Sequence, residues 1–168
     1  RAQMAVENGV DLVIELPYIY ANKTAELFAL GAIKTLNSLN IVDYLVFGSE
    51  LGNIDPLTHI AQVIISQPPK YKSTLQNKLK EIALTDYFSY DLELDVNIGQ
   101  VLNSSNNILA IEYLKALEST GSKINPLTLT RIGSAYNDSR TDTSILSATA
   151  IRKLLVDKDY NKLKLALP

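Results

Sequence analysis

The fold class is decided by residues 11–50, which read DLVIELPYIY ANKTAELFAL GAIKTLNSLN IVDYLVFGSE. Residues 11–17 form a short apolar run closed by a proline, a pattern typical of a buried strand. Apolar residues recur at helical spacing from 25 to 36 and predict a helix with one buried face. Residues 44–47 predict a second buried strand. The segment is therefore expected to form a strand–helix–strand unit in which the two strands are parallel.

The same alternation continues along the chain. Further helices are expected from Asp55 as N-cap, across residues 75–83 and from Asn106 onward, while residues 124–132 predict a third strand. Two short helices follow from Ser147. Strands that alternate with helices give an α/β fold with a mostly parallel sheet, in which ligands bind beyond the carboxyl ends of the strands.

Composition excludes several kinds of site. The chain has no cysteine, which rules out disulfides, thiolate nucleophiles and cysteine-ligated zinc. His59 is its only histidine, which rules out sites with several histidine ligands and argues against a Ser-His-Asp triad. The net charge of −2 is not that of a domain that mainly coats nucleic acid. No apolar run is long enough to span a membrane and no secretory segment opens the chain, so we expect a cytoplasmic protein with no membrane partner.

The strongest local pattern is LSATAIR at residues 146–152. Ser147 opens a helix, Thr149 adds a second hydroxyl and Arg152 adds a bidentate cation. The first N–H groups of a helix lack backbone partners and lie at the positive end of its dipole, so this arrangement suits a phosphate chain. The alternative is a capped surface helix with an exposed arginine. In either case Ile151, Leu154 and Leu155 are expected to pack the helix against the sheet.

Three more residues follow predicted strands or begin a predicted helix, and each has two interpretations. Gly48 either lets a planar ligand such as a purine approach the backbone or forms a simple turn from strand to loop. Asn106 either caps its helix or faces a nucleotide with its amide. Arg131 either binds a phosphate or base at the end of a strand or forms a surface salt bridge.

Taken together, these motifs occur in the order seen in one family. The sequence resembles the bacterial tRNA(Met) cytidine acetate ligases across nearly its whole length, and least between about 66 and 103. The stretches that carry the resemblance are GVDLVIELPY at 9–18, FGSE at 47–50, NNIL at 106–109, RIGS at 131–134 and SATAIR at 147–152. The resemblance implies a Rossmann-like nucleotidyltransferase domain. It also implies that ATP and acetate form acetyl-adenylate, which acetylates the wobble cytidine of elongator tRNA(Met) to N4-acetylcytidine.

The resemblance further implies which residues bind the nucleotide. Mg²⁺ is expected to accompany ATP, and the sequence has no carboxylate cluster that identifies a metal held by the protein. The positions that match the family's ATP contacts are Gly48, Asn106, Arg131 and Ile132, and those that match the phosphate-binding helix of the wider nucleotidyltransferase group are Ser147, Thr149 and Arg152.

The sequence also departs from the family pattern. The family opens with a strand and a His-x-Gly-His turn, whose histidines are expected to stabilise the transition state at the α-phosphate. No such turn occurs here, and a C-terminal helical part is missing after Pro168. We therefore expect residues 1–168 to form a single incomplete nucleotidyltransferase-like α/β domain, truncated at its N-terminus, with the catalytic residues upstream of Arg1.

Two other functions are compatible with the residues. The phosphate-binding helix would serve equally well in an enzyme that adenylylates or cytidylylates a small metabolite. The absence of the histidine turn instead favours a non-catalytic scaffold that binds a nucleotide or RNA. Identification of the reaction product separates the first alternative from an acetate ligase.

The 168-residue chain alone is expected to release no pyrophosphate from ATP and acetate, because it lacks the histidine turn. A pyrophosphate-release assay on the isolated chain checks this expectation. Turnover comparable to that of a protein containing the turn would contradict it.

Overall fold

The computed structural model describes residues 2–67, 98–131, 146 and 148–166. The predicted helix at 75–83 lies outside these residues. The described elements, in chain order, are α1 (Ala2–Glu7), α2 (Tyr18–Ala21), α3 (Ala25–Leu39), β1 (Tyr44–Ser49), α4 (Ile54–Ser66), α5 (Ile98–Asn103), α6 (Ser105–Ser119), β2 (Asn125–Thr130), α7 (Ala148–Val156) and α8 (Tyr160–Ala166). They confirm the predicted helices at 25–36, from Asp55, from Asn106 and after Ser147, within a few residues at each end.

The two described strands form a parallel pair. Tyr44 lies opposite Asn125 and Ser49 lies opposite Thr130, so the strands run side by side over their whole length. This confirms the strands predicted at 44–47 and 124–132, and it confirms the α/β class with a parallel sheet. Parallel strands need a long crossover, and within the described residues α4, α5 and α6 belong to it.

The strand predicted at residues 11–17 is not found. Residues 12–17 are irregular, and the side chains of Leu12, Val13 and Ile14 are 59%, 39% and 41% exposed rather than buried. A strand requires a hydrogen-bonded neighbour, and within the described part of the chain no backbone hydrogen bond joins residues 11–16 to another segment. The apolar run therefore has strand-like composition without a strand partner.

The hydrophobic core lies between three helices and one face of the sheet. Helix α6 packs against α3, α4 and β1. Ile33, Leu57 and Ile60 are fully buried there, and Phe47 of β1 packs against this core with its ring 5.6 Å from that of Tyr113. Burial of these side chains is the main stabilising contribution, since each fully buried aliphatic side chain contributes about 1.5–3 kcal/mol.

The other face of the sheet is exposed and apolar. Side chains alternate between faces along a strand, so the partly buried Leu45 and Phe47 point toward the helices. On β2 the leucines point outward, whereas Thr128 is half-buried and donates to the Phe47 carbonyl at 3.2 Å. The exposed residues of this face are Tyr44, Val46, Leu127 and Leu129, which are 60%, 54%, 47% and 64% accessible.

The start of α4 differs from the prediction by two residues. Asn53 has an extended backbone and is the N-cap, and its side-chain oxygen accepts a hydrogen bond from Asp55 N–H at 3.1 Å. Asp55 therefore lies in the first turn, where its charge still favours the helix dipole. Pro56 follows in that same turn, where a missing N–H costs nothing because the first N–H groups of a helix have no backbone partner.

Helices α7 and α8 contact each other near the end of the described chain. Their buried residues are Ala150, Leu154 and Leu163. The expectation that Leu155 packs inward is wrong, because its side chain is 52% exposed, whereas Leu154 is buried and Ile151 is intermediate. None of the helices in the described ranges is long and apolar enough to cross a membrane.

Replacing a fully buried core leucine is expected to destabilise the protein strongly. Leu57→Ala removes a side chain with 0% exposure and leaves a cavity, so the free energy of unfolding should fall by about 2–5 kcal/mol. Leu155→Ala is the matched control and should change it by about 0.5 kcal/mol or less. Denaturant unfolding measures both, and equal losses for the two variants would contradict this core assignment.

Candidate functional site

Three of the predicted binding residues converge at the carboxyl edge of the sheet. Gly48 is the penultimate residue of β1, Arg131 directly follows β2, and Asn106 lies in the first turn of α6. The Arg131 N–H donates to the Ser49 carbonyl at 3.0 Å, which extends the strand pairing by one residue. The two parallel strands therefore place Gly48 and Arg131 side by side, and α6 places Asn106 beside them.

The Arg131 side chain lies across Gly48. A Cβ atom added at Gly48 would meet the Arg131 Cγ at 3.2 Å, which is closer than ordinary van der Waals contact. Gly48 lies within β1, and the turn from strand to loop begins two residues later, at Glu50. The absence of a side chain at Gly48 leaves room for the arginine to lie against the backbone.

The guanidinium of Arg131 is held by an amide. Its Nη1 donates to the Asn106 Oδ1 at 3.3 Å, while the residue as a whole is exposed. A guanidinium has five N–H donors, so this bond leaves most of them available to a ligand. Asn106 itself does not cap its helix, since the helix begins one residue earlier, at Ser105.

Glu50 is the residue of this site that the sequence interpretation missed. Its Oε1 accepts from the Asn106 side-chain Nδ2 at 2.6 Å and from the Asn106 backbone N–H at 3.3 Å. Its Oε2 accepts from the Asn107 N–H at 2.8 Å. The carboxylate thus satisfies two of the first N–H groups of α6 and lies at the positive end of the helix dipole. Its position directly after the end of a predicted strand is the sequence signal by which it could have been found.

The hydrogen bonds to Glu50 determine its ionisation. Partial burial by itself raises the pKa of Glu50, but the hydrogen bonds from the Asn106 side chain and from the backbone N–H groups of Glu50, Asn107 and Asn106 outweigh it. The net pKa therefore lies below its ordinary value of 4.5. Glu50 is ionised at neutral pH.

Buried polar groups hold the turn between β1 and α4 in place. Ser49 is fully buried, and its Oγ lies 2.8 Å from the Thr128 Oγ1 and accepts from the Gly52 N–H at 2.9 Å. Asn107 is 2% exposed, and its Oδ1 accepts from the Leu51 N–H at 3.1 Å. These bonds fix the backbone on both sides of Glu50.

Gly52 is required by the backbone of the same turn. It has a φ of +67°, and a Cβ atom there would overlap the side chain of Thr130. A side chain at this position is therefore both strained and sterically blocked. The turn that carries Glu50 therefore packs closely against Thr130 at the end of β2.

The predicted phosphate-binding residues lie on and before α7. Thr149 is half-buried and Arg152 is exposed, whereas Ser147 and Ile132 lie outside the described residues. Helix α7 begins at Ala148, as expected for an N-cap at Ser147. The approach of this helix end to Gly48 and Arg131 stays a prediction.

The single histidine, His59, is exposed on α4. Across residues 2–67, 98–131, 146 and 148–166, no group of three His, Cys, Asp or Glu side chains is placed to hold a metal ion.

Comparison with known proteins identifies relatives across the whole chain. The profile of the family described as HIGH Nucleotidyl Transferase matches residues 1–168. A protein from Caldanaerobacter subterraneus subsp. tengcongensis, named tRNA(Met) cytidine acetate ligase, is 44% identical over 173 residues, covering 100% of this chain and 43% of its own length. A protein of the same name from Clostridium perfringens is 46% identical over 166 residues, covering 91% of this chain and 41% of its own length.

The chain is also similar in structure to solved proteins. Apo Thermotoga maritima TmcAL has a TM-score of 0.86 and 36% identity, over 100% of this chain and 42% of that one. The same protein bound with alpha-thio ATP has a TM-score of 0.83 and 35% identity, over 100% of this chain and 40% of that one. The chain therefore spans about two fifths of the length of the relatives it matches. These similarities confirm the predicted family resemblance.

Glu50→Gln is expected to make stability less dependent on pH. Because the folded-state pKa of Glu50 is lowered, its stabilising contribution is complete above the ordinary value of 4.5 and is lost as the pH falls through the lowered pKa. The variant should be about 0.5–2 kcal/mol less stable than the parent near neutral pH, the range for a lost helix cap. This difference should shrink below about pH 4.5.

Thermal unfolding between about pH 7 and pH 3 measures this difference. Glu118→Gln, at an exposed position near the other end of α6, is the matched control and should not lower stability near neutral pH, because it removes a negative charge from the C-terminal end of the helix. A stability gap for Glu50→Gln that stays constant into strong acid would show that its carboxylate does not bind the helix end.

Proposed function

The chain belongs to the HIGH nucleotidyl transferase family, and from that premise we propose that the protein is an ATP-dependent acetate ligase acting on tRNA. It forms acetyl-adenylate and acetylates the wobble cytidine of elongator tRNA(Met) to N4-acetylcytidine. The names of the relatives support this assignment, although the chain covers only 41–44% of their length. A tRNA substrate also fits the expected cytoplasmic location.

The observation that carries the proposal is the convergence of Gly48, Asn106 and Arg131 at one edge of a parallel sheet. Ligands of α/β proteins bind at this edge. The arginine lies along the strand with its guanidinium exposed, which suits contact with a phosphate or with the face of a purine. The alpha-thio ATP bound by Thermotoga maritima TmcAL, a protein of the same fold, supports ATP as the ligand.

In this proposal the nucleotide contacts two groups of residues. Gly48, Asn106, Arg131 and Ile132 bind ATP at the strand ends. The triphosphate extends to the N-terminus of α7, where Ser147, Thr149 and Arg152 supply donors and charge. Mg²⁺ accompanies ATP and is carried by the phosphate oxygens, which are hard ligands of the kind that this ion prefers.

The reaction has two steps. An acetate oxygen attacks the α-phosphorus of ATP, the bond from that phosphorus to the bridging oxygen breaks, and pyrophosphate leaves. The N4 amine of cytidine then attacks the acetyl carbonyl carbon, the bond to AMP breaks, and the amine loses a proton to solvent. Neither step needs a covalent bond to the protein, so the residues of the chain act by positioning the nucleotide and stabilising its charge.

Arg131→Ala is expected to weaken ATP use far more than folding. Loss of a charge-assisted phosphate contact costs about 1.5–3 kcal/mol, which corresponds to a decrease of about 10- to 150-fold in kcat/KM for ATP. Acetate-dependent ATP–pyrophosphate exchange by the full-length protein measures it. Lys123→Ala, which removes an exposed cation just before the start of β2, is the matched control and should retain activity.

An unchanged ATP dependence together with a collapsed melting temperature would mean that Arg131 is structural. The product tests the function itself. Trapped acetyl-adenylate followed by acetylated tRNA supports the acetate ligase. A nucleotide joined to a small phosphorylated metabolite would overturn it in favour of a metabolite nucleotidyltransferase.

A further inference from the structure

We propose that Glu50 is a positioning residue of the nucleotide site. It selects one orientation of the Asn106 amide, so that Asn106 Oδ1 holds the Arg131 guanidinium across Gly48. The inference rests on the proposed function only in taking ATP as the ligand of Arg131. It assigns a role to a residue that contacts Arg131 solely through another side chain.

The hydrogen-bonding chemistry of the two neighbours makes the orientation unique. A carboxylate only accepts hydrogen bonds and a guanidinium only donates them. The Asn106 amide lies between them, with Nδ2 2.6 Å from the Glu50 Oε1 and Oδ1 3.3 Å from the Arg131 Nη1. The reversed amide would place oxygen against carboxylate and NH₂ against guanidinium. Both contacts would then be repulsive, so the amide has one stable orientation.

The position of Glu50 is itself fixed by the protein core. Its other carboxylate oxygen accepts from the Asn107 N–H at 2.8 Å, and Asn107 is buried at the start of α6. Helix α6 packs against α3, α4 and β1, so this backbone cannot shift without disturbing the core. The core therefore fixes the position of Glu50, Glu50 fixes the orientation of the Asn106 amide, and that amide positions Arg131.

The amide also preserves the charge of Arg131 for a ligand. A direct ion pair with Glu50 would satisfy the guanidinium with a carboxylate, which would then compete with a phosphate for the same donors. The neutral Asn106 amide accepts a hydrogen bond from one N–H group of the Arg131 guanidinium at 3.3 Å and leaves the other N–H groups free to bind a ligand. At the same time Glu50 occupies the first N–H groups of α6, so an anion has no access to them and Arg131 is its point of attachment at this edge.

Glu50→Gln tests this relay without changing the size of the side chain. Gln retains a single acceptor oxygen, and when that oxygen bonds the Asn107 N–H, its NH₂ faces the Asn106 Nδ2. The Asn106 amide then turns and presents its own NH₂ to Arg131. We expect the Kd of the full-length protein for ATP, measured by calorimetry, to rise about 3- to 30-fold, as for residues that belong to one hydrogen-bond network.

The decisive measurement is the same substitution in an Arg131→Ala background. If Glu50 acts through Arg131, Glu50→Gln should change the Kd for ATP there by less than about twofold. Asn53→Ala is the matched control, because it removes the cap of α4 at an exposed position that bonds only Asp55 N–H. It should lower the melting temperature and leave the Kd unchanged.

A second experiment tests whether Glu50→Gln strengthens ATP binding in a variant in which the relay predicts the opposite effect. In Asn106→Asp two carboxylates face each other across a contact of 2.6 Å, and ATP binding should weaken. Adding Glu50→Gln to that variant restores an NH₂ donor facing an acceptor, which in turn accepts from Arg131. The same substitution that weakens the parent should therefore strengthen ATP binding by Asn106→Asp.

The outcomes separate this inference from the proposed function. A normal Kd with a lowered melting temperature for Glu50→Gln would reduce Glu50 to a helix cap and overturn the inference. An equal rise in Kd with and without Arg131 would overturn it as well. If the protein binds ATP but shows no acetate-dependent exchange, the acetate ligase assignment fails while the Kd comparison still decides the role of Glu50. If the full-length protein binds no ATP, the acetate ligase assignment and the role of Glu50 are both wrong.

Discussion

Parallel pairing of β1 with β2 places the carboxyl ends of two strands at one edge of the sheet, about 5 Å apart. Gly48 and Arg131 are neighbours for this reason, although 83 positions separate them along the chain. The crossover between the strands returns α6 to the same edge, with its N-terminus toward the strand ends. The contacts of Arg131 with Gly48 and Asn106 depend on this geometry, because an antiparallel pair would bring one strand's end to the other's beginning.

The N-terminal ends of α6 and α7 carry different kinds of side chain. At α6 the Glu50 carboxylate satisfies the first N–H groups and balances the helix dipole. At α7 the protein supplies hydroxyl and cationic residues, with Arg152 exposed and Thr149 half-buried. A carboxylate repels a phosphate, whereas hydroxyls and a guanidinium bind one. The first helix end therefore holds protein groups in position, whereas anion binding at the second stays part of the proposed function.

Polar groups near the site are satisfied almost entirely within the protein. Ser49 and Asn107 are buried and hydrogen-bonded to the turn at 49–52, and no buried side-chain nitrogen or oxygen in the described residues lacks a partner. A buried polar network stabilises a unique arrangement only when each member is paired, since an unpaired group costs about 1–3 kcal/mol. The exposed guanidinium of Arg131 stands at the outer end of this network, where a ligand can reach it.

The sequence by itself determined the elements whose pattern is local. Helical spacing predicted α3, α4 and α6, and alternation with strands predicted a parallel sheet with Gly48 and Arg131 at its carboxyl edge. Asn106 was matched to the nucleotide through the family resemblance. Local pattern failed where a partner was needed. Residues 11–17 have the composition of a strand but no hydrogen-bonded partner strand in the described part of the chain.

Only the tertiary structure decided the role of Glu50, which binds residues 56 and 57 positions away. Helical periodicity reports which face of an element is buried, because burial repeats with the turn of the backbone. A hydrogen bond between distant residues has no such period. It depends on how the sheet and helices pack, and that packing turned an acidic residue after a strand into the group that orients Asn106 and Arg131.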